Sequence, residues 1–148
     1  MKAFLASIII LLVGLAVTAP AADKQVGVLW FEKSGMADKV LRGFAQRLSA
    51  TPGLVLEVKM ALKTEDEAAK VYEEFLQTKD AVVFLRSHGA KYMVAHPPTR
   101  PAFIGAANNP VELGVIKDPA KPEGNITGVT YYLPVAQQFA VYRQFWPK

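Results

Sequence analysis

Apolar runs rich in β-branched residues alternate along the chain with segments in which apolar positions recur every three or four residues. Short apolar runs are typical of buried strands, and the wider spacing is typical of amphipathic helices. The third run, over residues 81–85, is wholly apolar, as in a central strand covered on both faces. The second contains Glu57 and Lys59, and we predict that it lies near a sheet edge. The runs predict strands over residues 26–30, 54–60, 81–85, 101–106 and 125–130.

The segments between the strands predict helices with recognisable starts. Ser34 precedes a helical pattern that extends to Leu48, and its hydroxyl can cap that helix. Thr64 and Glu67 form a capping box, in which each side chain can accept from a free amide at the helix start. Further helices are predicted over residues 87–96 and 111–116, and from Pro134 onward.

This alternation predicts an α/β fold, an open parallel five-stranded sheet with helices on both faces. In such sheets ligands bind beyond the carboxyl ends of the strands, near the point where the strand order reverses. The loops that follow the strands are therefore where function is expected: residues 31–35, 61–63, 86–89, 107–110 and 130–133.

The first 21 residues have a different pattern. Lys2 is followed by an apolar run over residues 3–17, and small residues stand at Ala19 and Ala21. A basic start, a short apolar middle and an A-x-A end predict a secretory signal peptide over residues 1–21. The run is shorter than the roughly 20 residues that span a bilayer, although a short membrane anchor remains the alternative. Residues 22–148 are then the mature chain, and the expected location is the periplasm.

The composition supports export and narrows the chemistry. The 148 residues include no cysteine, which excludes a disulfide framework, a thiolate zinc site and a cysteine nucleophile. A cysteine-free exported domain of this size suits a bacterial periplasm. The formal charge is +4 and falls to +3 without Lys2. Because the basic residues are interleaved with acids, this charge does not point to nucleic acid.

The usual catalytic motifs are missing from the sequence. A receiver domain needs an aspartate at the end of the third strand, and Asp80 stands at its start. The chain has no dinucleotide-binding G-x-G-x-x-G, no phosphate-binding G-x-x-x-x-G-K-S/T and no G-x-S-x-G nucleophile elbow. His88 and His96 are eight residues apart, so a shared metal site is not expected. We therefore expect neither catalysis nor a cofactor.

The same loops are suited to recognition. Ser87 and His88 open a helix, where a hydroxyl and free amides can hold a ligand carboxylate, although His88 is more simply explained as a polar residue at a helix start. Asn108 and Asn109 can orient a zwitterionic ligand, or they are simply turn residues.

The first strand ends in two aromatic residues, Trp30 and Phe31. One of them should point away from the core and could stack on a ligand, or both could pack under the first helix. The predicted ligand-binding residues are Phe31, Ser34, Ser87, His88, Asn108, Asn109 and Thr130.

A specific resemblance appears over residues 101–147. This stretch contains P-A-F-I-G, N-P-V, G-V, P-E-G-N-I-T-G-V, P-V and a terminal W-P. These motifs resemble the ABC-transporter substrate-binding proteins that include tryptophan- and tyrosine-type uptake receptors, and G-N-I-T-G-V is the most specific part. Asn109 stands where the family usually has aspartate, and Glu123 where it has glycine. The loop over residues 87–89 also departs from the family's threonine- and alanine-rich pattern.

The resemblance implies a type I-like periplasmic binding protein fold with two lobes that close over a ligand. Such proteins are roughly twice as long, so residues 22–148 are expected to form the first lobe only. The implied function is that of a periplasmic solute-binding component of an ABC-type uptake system. It would bind a small amino-acid-like molecule without catalysis and would have the transporter membrane subunits as partners. The departures mean that the resemblance does not identify the ligand.

A second hypothesis is an interaction module. The last segment has more apolar residues than one helix face can bury, which predicts an exposed patch. Such a lone lobe would dock onto a sensor, a transporter subunit or another copy of itself. The residues of the patch are Val135, Phe139, Val141, Tyr142, Phe145 and Trp146.

Overall fold

The structure, a computed structural model, describes residues 22–121 and 124–146. The predicted signal peptide, residues 1–21, lies outside these ranges. Five strands and four helices follow one another along the described chain. The strands are β1 (Lys24–Phe31), β2 (Leu54–Leu62), β3 (Ala81–Leu85), β4 (Ala102–Ala107) and β5 (Ile126–Thr130). The helices are α1 (Gly35–Leu48), α2 (Glu65–Thr78), α3 (Arg86–Ala95) and α4 (Val135–Phe145).

The strands form one sheet in the order β2-β1-β3-β4-β5, and every neighbouring pair is parallel. The predicted open parallel sheet is therefore confirmed. The wholly apolar β3 is central, and four of its five residues are buried. The strand with interspersed charges, β2, forms one edge of the sheet, also as predicted.

Helices cover both faces of the sheet, but unequally. On one face α1 packs through Ala37 and Phe44 against Val28, Trp30 and Leu85. On the other face α2 and α3 enclose a larger cluster, with Tyr72, Phe75 and Met93 fully buried. Burial of this apolar area is the main source of fold stability. One helix thus covers the first face where two cover the second.

Both predicted N-caps form. The Ser34 hydroxyl accepts from the Ala37 amide at 3.2 Å, and the Thr64 hydroxyl accepts from the Glu67 amide at 3.1 Å. The Glu67 carboxylate accepts from the amide of Lys63 at 2.8 Å. In the predicted capping box it would have reached the amide of Thr64 itself, so the return bond is displaced by one residue.

The prediction of a helix over residues 111–116 was wrong. The segment makes a single turn, in which the Leu113 amide donates to the carbonyl of Asn109 at 3.0 Å. Gly114 then adopts a φ of +75°, and a left-handed residue of this kind ends a helix. Gly114 therefore ends the turn before a second one can form.

The final helix, α4, stands apart from the other described elements. Every residue from 131 to 146 is exposed, and the apolar patch predicted for this segment is confirmed. None of the helices in the described ranges is long and apolar enough to cross a membrane.

Candidate functional site

The strand order reverses between β1 and β3. The chain passes from β1 outward to β2 and then returns to add β3 on the other side of β1. The carboxyl ends of β1 and β3 therefore form the switch point, where ligands bind in open α/β sheets. A side chain bridges these two ends. The Arg86 guanidinium donates to the carbonyl of Phe31 at 2.8 Å and lies 3.4 Å from the Glu32 carboxylate.

Backbone strain is concentrated along this edge. Four non-glycine residues in the described ranges have a positive φ: Glu32, Ala61, Arg86 and Ala106. Each stands at or next to the carboxyl end of one of the strands β1 to β4. Such conformations cost about 1–3 kcal/mol each and cluster at functional sites. The strand register also shifts near the carboxyl ends of β1 and β4, so the hydrogen-bond ladder is irregular along this edge.

A cavity of about 260 Å³ opens at this edge. It is slightly smaller than the roughly 300–1,000 Å³ typical of small-molecule pockets, so a ligand held there would remain partly uncovered. We call it the edge cavity. Its lining residues are Ser34, Met36, Arg86, Ser87, His88, Ala106 and Tyr131.

Three of the seven predicted ligand-binding residues line the edge cavity. Ser34 stands before α1, and Ser87 and His88 stand in the first turn of α3. The Ser87 hydroxyl accepts from the Asn108 amide at 3.1 Å, which ties the start of α3 to the end of β4. Its own proton remains available to donate. Since the amides of the first helical turn lack partners within the helix, this wall of the cavity offers several hydrogen-bond donors.

Phe31 lies beside the edge cavity rather than in it. Its ring meets the His88 ring edge-on, with centroids 5.8 Å apart. Phe31 and His88 also line a second cavity of about 250 Å³, whose floor includes Phe84 and Tyr92 and whose wall includes Glu65. Burial raises the pKa of Tyr92, with smaller contributions from Glu73 and Asp66. His88 thus stands between two neighbouring cavities.

Trp30, which precedes Phe31 in β1, lies on the opposite face of the sheet. Trp30 is fully buried under α1, where its indole Nε1 has no hydrogen-bond partner among the described residues. The alternation of side chains along β1 therefore places one aromatic residue in the core and the other, Phe31, near the mouth of the site.

The remaining three predicted residues lie outside the edge cavity. The Asn109 carboxamide oxygen accepts from the Val111 amide at 3.1 Å, and the Thr130 hydroxyl lies 2.9 Å from the Ala107 carbonyl and 2.8 Å from that of Asn108. Both side chains thus shape turns. Asn108 is exposed, and its carboxamide makes no hydrogen bond within the described part of the chain.

The sequence prediction missed four residues of the cavity lining: Met36, Arg86, Ala106 and Tyr131. Arg86 and Tyr131 lie within loops that follow strands, so their loop positions were the available signal. Tyr131 supplies an exposed aromatic ring at the site. Nothing in the sequence indicated Ala106, the next-to-last residue of β4, which has a positive φ of 52°. No group of three or more His, Asp or Glu residues in the described ranges is arranged to hold a metal ion.

Comparisons with known proteins agree with this architecture. No protein-family model matches the sequence, and no curated protein shows significant similarity to it. Among solved structures, a ligand-free, open substrate-binding protein with adhesive properties from Clostridium difficile matches with a TM-score of 0.72 and 20% identity. The match covers 84% of this chain and 44% of that one.

Two further structures share the fold. An ABC domain from Streptococcus pneumoniae in complex with L-Trp matches with a TM-score of 0.66 and 21% identity, over 82% of this chain and 43% of that one. A conserved domain protein from Vibrio cholerae matches with a TM-score of 0.68 and 22% identity, over 84% and 44% of the two chains. The present chain therefore spans less than half the length of the solved structures that it resembles.

Proposed function

We propose that this protein is a non-catalytic ligand-binding lobe that takes a small amino-acid-like molecule at the edge cavity. One observation carries the proposal: the cavity lies at the switch point of a parallel sheet, and polar side chains and strained backbone converge on it. The solved structures that share the fold include a substrate-binding protein and an ABC domain with bound L-Trp, which supports the same role.

Different residues of the site would contact different parts of the ligand. Ser87, His88 and the first amides of α3 are placed to receive a carboxylate, and Ser34 and the exposed Asn108 carboxamide add hydrogen-bonding capacity. Phe31 and Tyr131 provide aromatic surface for a ligand side chain. We assign Asn109 and Thr130 to shaping the loops, because their side chains already hydrogen-bond to the backbone there.

We further propose that residues 1–21 direct export to the periplasm and that residues 22–148 form the first lobe of an ABC-type uptake receptor. In that role the transporter membrane subunits are its partners. A site on one lobe leaves one side of the ligand open to water, and closure of a second lobe is what buries a ligand completely. Binding by this lobe alone should consequently be weak.

A thermal-unfolding screen tests the proposal. The exported protein is heated with each of the twenty L-amino acids and a set of purine-like compounds at millimolar concentration. A ligand at ten times its Kd stabilises the fold by about 1.4 kcal/mol, which raises Tm by roughly 5 °C. The absence of a shift with every compound, in a sample that unfolds cooperatively, would contradict binding by this chain.

Two histidine variants test whether a ligand that raises Tm binds at the edge cavity. His88→Ala removes a side chain from the edge cavity, and we expect it to weaken binding at least threefold. His96→Ala is the matched control, because His96 is also exposed and lies just beyond the other end of α3. Equal losses in the two variants would place the ligand elsewhere.

A second candidate function, protein interaction through α4, is favoured by one observation. The helix exposes its whole apolar side, including Phe145 and Trp146, which are 72% and 79% exposed. Contiguous patches of this kind mark interaction surfaces. Sedimentation of the exported protein over a range of concentrations tests self-association, and a strict monomer at the highest concentration would contradict it.

A further inference from the structure

The face of the sheet that carries α1 has an uncovered apolar groove. Two cavities of about 200 and 490 Å³ adjoin there, since Phe44 of α1 and Phe103 of β4 line both. Val129 of β5 borders the first cavity and is 70% exposed. Parallel sheets are normally covered on both faces, and this face carries one helix beside a gap. We call the gap the β4–β5 groove, lined by Leu41, Phe44, Leu48, Phe103, Gly105 and Val129.

Helix α4 has the dimensions and the surface to fill such a groove. Val135, Phe139, Tyr142 and Trp146 follow one another at intervals of four, three and four residues, so they form one stripe along the helix and its C-cap residue, Trp146. These four side chains are between 58% and 79% exposed. The eleven residues of α4 span about 16 Å, and the six residues of β4 span about 20 Å. An apolar stripe and an apolar groove of similar length are therefore both uncovered in the same chain.

The turn after β5 keeps α4 away from the groove of its own lobe. The Thr130 hydroxyl accepts from the Tyr132 amide at 2.9 Å while lying within hydrogen-bond distance of two carbonyls at the end of β4. The Tyr131 amide donates to the Ala107 carbonyl at 3.2 Å. These bonds fix the direction in which the chain leaves the sheet, and the whole segment from 131 to 146 is exposed as a result.

We propose that two copies of this chain exchange α4, each helix docking in the β4–β5 groove of the other copy. The inference rests on the second candidate function above and specifies its contact surface. Reciprocal exchange is closed and two-fold symmetric, so it yields a dimer rather than a fibre. The stripe contains no charged side chain. Lys24 and Asp80 line one end of the 490 Å³ cavity, but they form an ion pair with each other at 2.9 Å, so like charges do not oppose each other across this contact.

The area involved is sufficient for a stable dimer. Enclosed aromatic side chains bury about 150–250 Å² each, and the stripe contains three of them. Each docked helix would then remove roughly 500 Å² of its own surface and a similar area of the groove, so the two helices together bury roughly 2,000 Å², the upper part of the range of standard specific interfaces.

Light scattering of the full chain, expressed with its own leader and purified as the exported form, measures the association. The expected mass is twice that of one copy. Phe139→Glu on the stripe and Val129→Lys beside the groove should each yield a monomer, because either change places a charge in the contact. Met60→Lys is the matched control and should remain dimeric, since Met60 is 57% exposed on β2 at the opposite edge of the sheet.

Three results would overturn the exchange, and they differ in meaning. A monomeric parent protein rules out both the exchange and self-association, while ligand binding stays open to its own thermal test. A dimer that Phe139→Glu dissociates and Val129→Lys does not would show that the helices pair with each other. A dimer unaffected by both variants would place the interface elsewhere. Circular dichroism on each variant confirms that the fold is intact.

Crosslinking tests the contact without relying on loss of association. Because the chain has no cysteine, single substitutions introduce one reactive thiol per copy. Copies with Val129→Cys are mixed with differently tagged copies with Phe139→Cys and treated with a short bismaleimide. A crosslinked heterodimer is expected, and mixing Met60→Cys with Phe139→Cys should yield none. Equal yields in the two mixtures would contradict docking in the groove.

Discussion

At the scale of single residues, the position of Gly128 explains why a glycine is required in the G-N-I-T-G-V segment, the most specific part of the family resemblance. It is the glycine before Val129 in G-N-I-T-G-V, and it lies in β5 directly against the backbone of β4. A Cβ at this position would overlap the carbonyl oxygen and the amide nitrogen of Ile104. Because both are main-chain atoms of the neighbouring strand, no side-chain rotation relieves the overlap. The residue at 128 is thus fixed by strand spacing.

Gly128→Ala should therefore destabilise the fold by about 1–3 kcal/mol, the usual cost of forcing extra atoms into a packed region. Urea unfolding followed by circular dichroism measures the free energy of unfolding. Gly43→Ala is the control, because a Cβ there meets nothing within 4 Å and the residue lies inside α1. Alanine in a helix should stabilise it by about 0.5–1 kcal/mol. Equal effects of the two variants would contradict the close approach.

The Asp80 carboxyl should make the stability of the fold depend on pH. The Gln25 amide, at 2.8 Å, and the Lys24 ammonium, at 2.9 Å, hold the pKa of the Asp80 carboxyl below its usual range. A carboxyl whose pKa is lower in the folded state stabilises the fold at a pH above its unfolded pKa, and the contribution is lost as pH falls through the folded pKa. The loss should therefore begin as the pH drops through roughly 4.

Asp80→Asn should remove part of this dependence. The variant should be less stable than the parent protein at pH 7, and the difference should shrink as the pH is lowered below about 4. Unfolding free energies measured at several pH values provide the check. A constant difference at every pH would show that Asp80 does not titrate with folding.

Residues of the site were predictable to different degrees. Ser34 was identifiable as a cap because cap chemistry is local. Asn109 and Thr130 were chosen for polar side chains at loop positions, and the structure uses those side chains to hold the loops. The positive φ of Arg86 and Ala106 left no mark in the sequence. Such strain is imposed by the packing of the whole sheet edge and cannot be seen from either residue alone.

At the scale of elements, the N-cap of α2 is the sharpest case of a prediction from local chemistry. Thr64→Ala removes the hydroxyl that accepts from Glu67 and should cost about 1 kcal/mol of stability. Thr78→Ala, in the last turn of the same helix, is the control, because its exposed hydroxyl only bonds back to the Glu74 carbonyl. That change should stay within about 0.5 kcal/mol. Thermal unfolding of both variants measures the difference.

The five strands and four of the five predicted helices could be located because their apolar periodicity is local. The exception was the segment at 111–116, whose single turn ends at Gly114. The apolar pattern of the sequence could not predict the surroundings of α4. An amphipathic stripe indicates that a helix has something to cover, but it does not specify the surface against which the helix packs.

At the scale of the whole molecule, the two ends of the sheet have different characters. Gly53 and Asp80 lie at the amino-terminal end, where the structure consists of turns and an exposed ion pair between Lys24 and Asp80. Strained backbone, shifts of strand register and the edge cavity occur at the carboxyl end. The apolar residues of α4 lie apart from both ends. The β4–β5 groove runs along the face of the sheet that carries α1 and reaches the amino-terminal end at Lys24 and Asp80, away from the edge cavity. Ligand recognition and self-association are therefore assigned to separate surfaces, and each is tested without disturbing the other.

The central claim is that the carboxyl edge of the sheet binds a small amino-acid-like ligand. A ¹H–¹⁵N NMR titration of the protein, with each amino acid that shifts Tm in the thermal screen, tests it most directly. Binding should move the amide signals of residues 32–36, 86–89, 106–108 and 130–131 and leave those of 48–54 unchanged. Shifts confined to the amino-terminal edge or to α4, with none at residues 86–89, would contradict the claim.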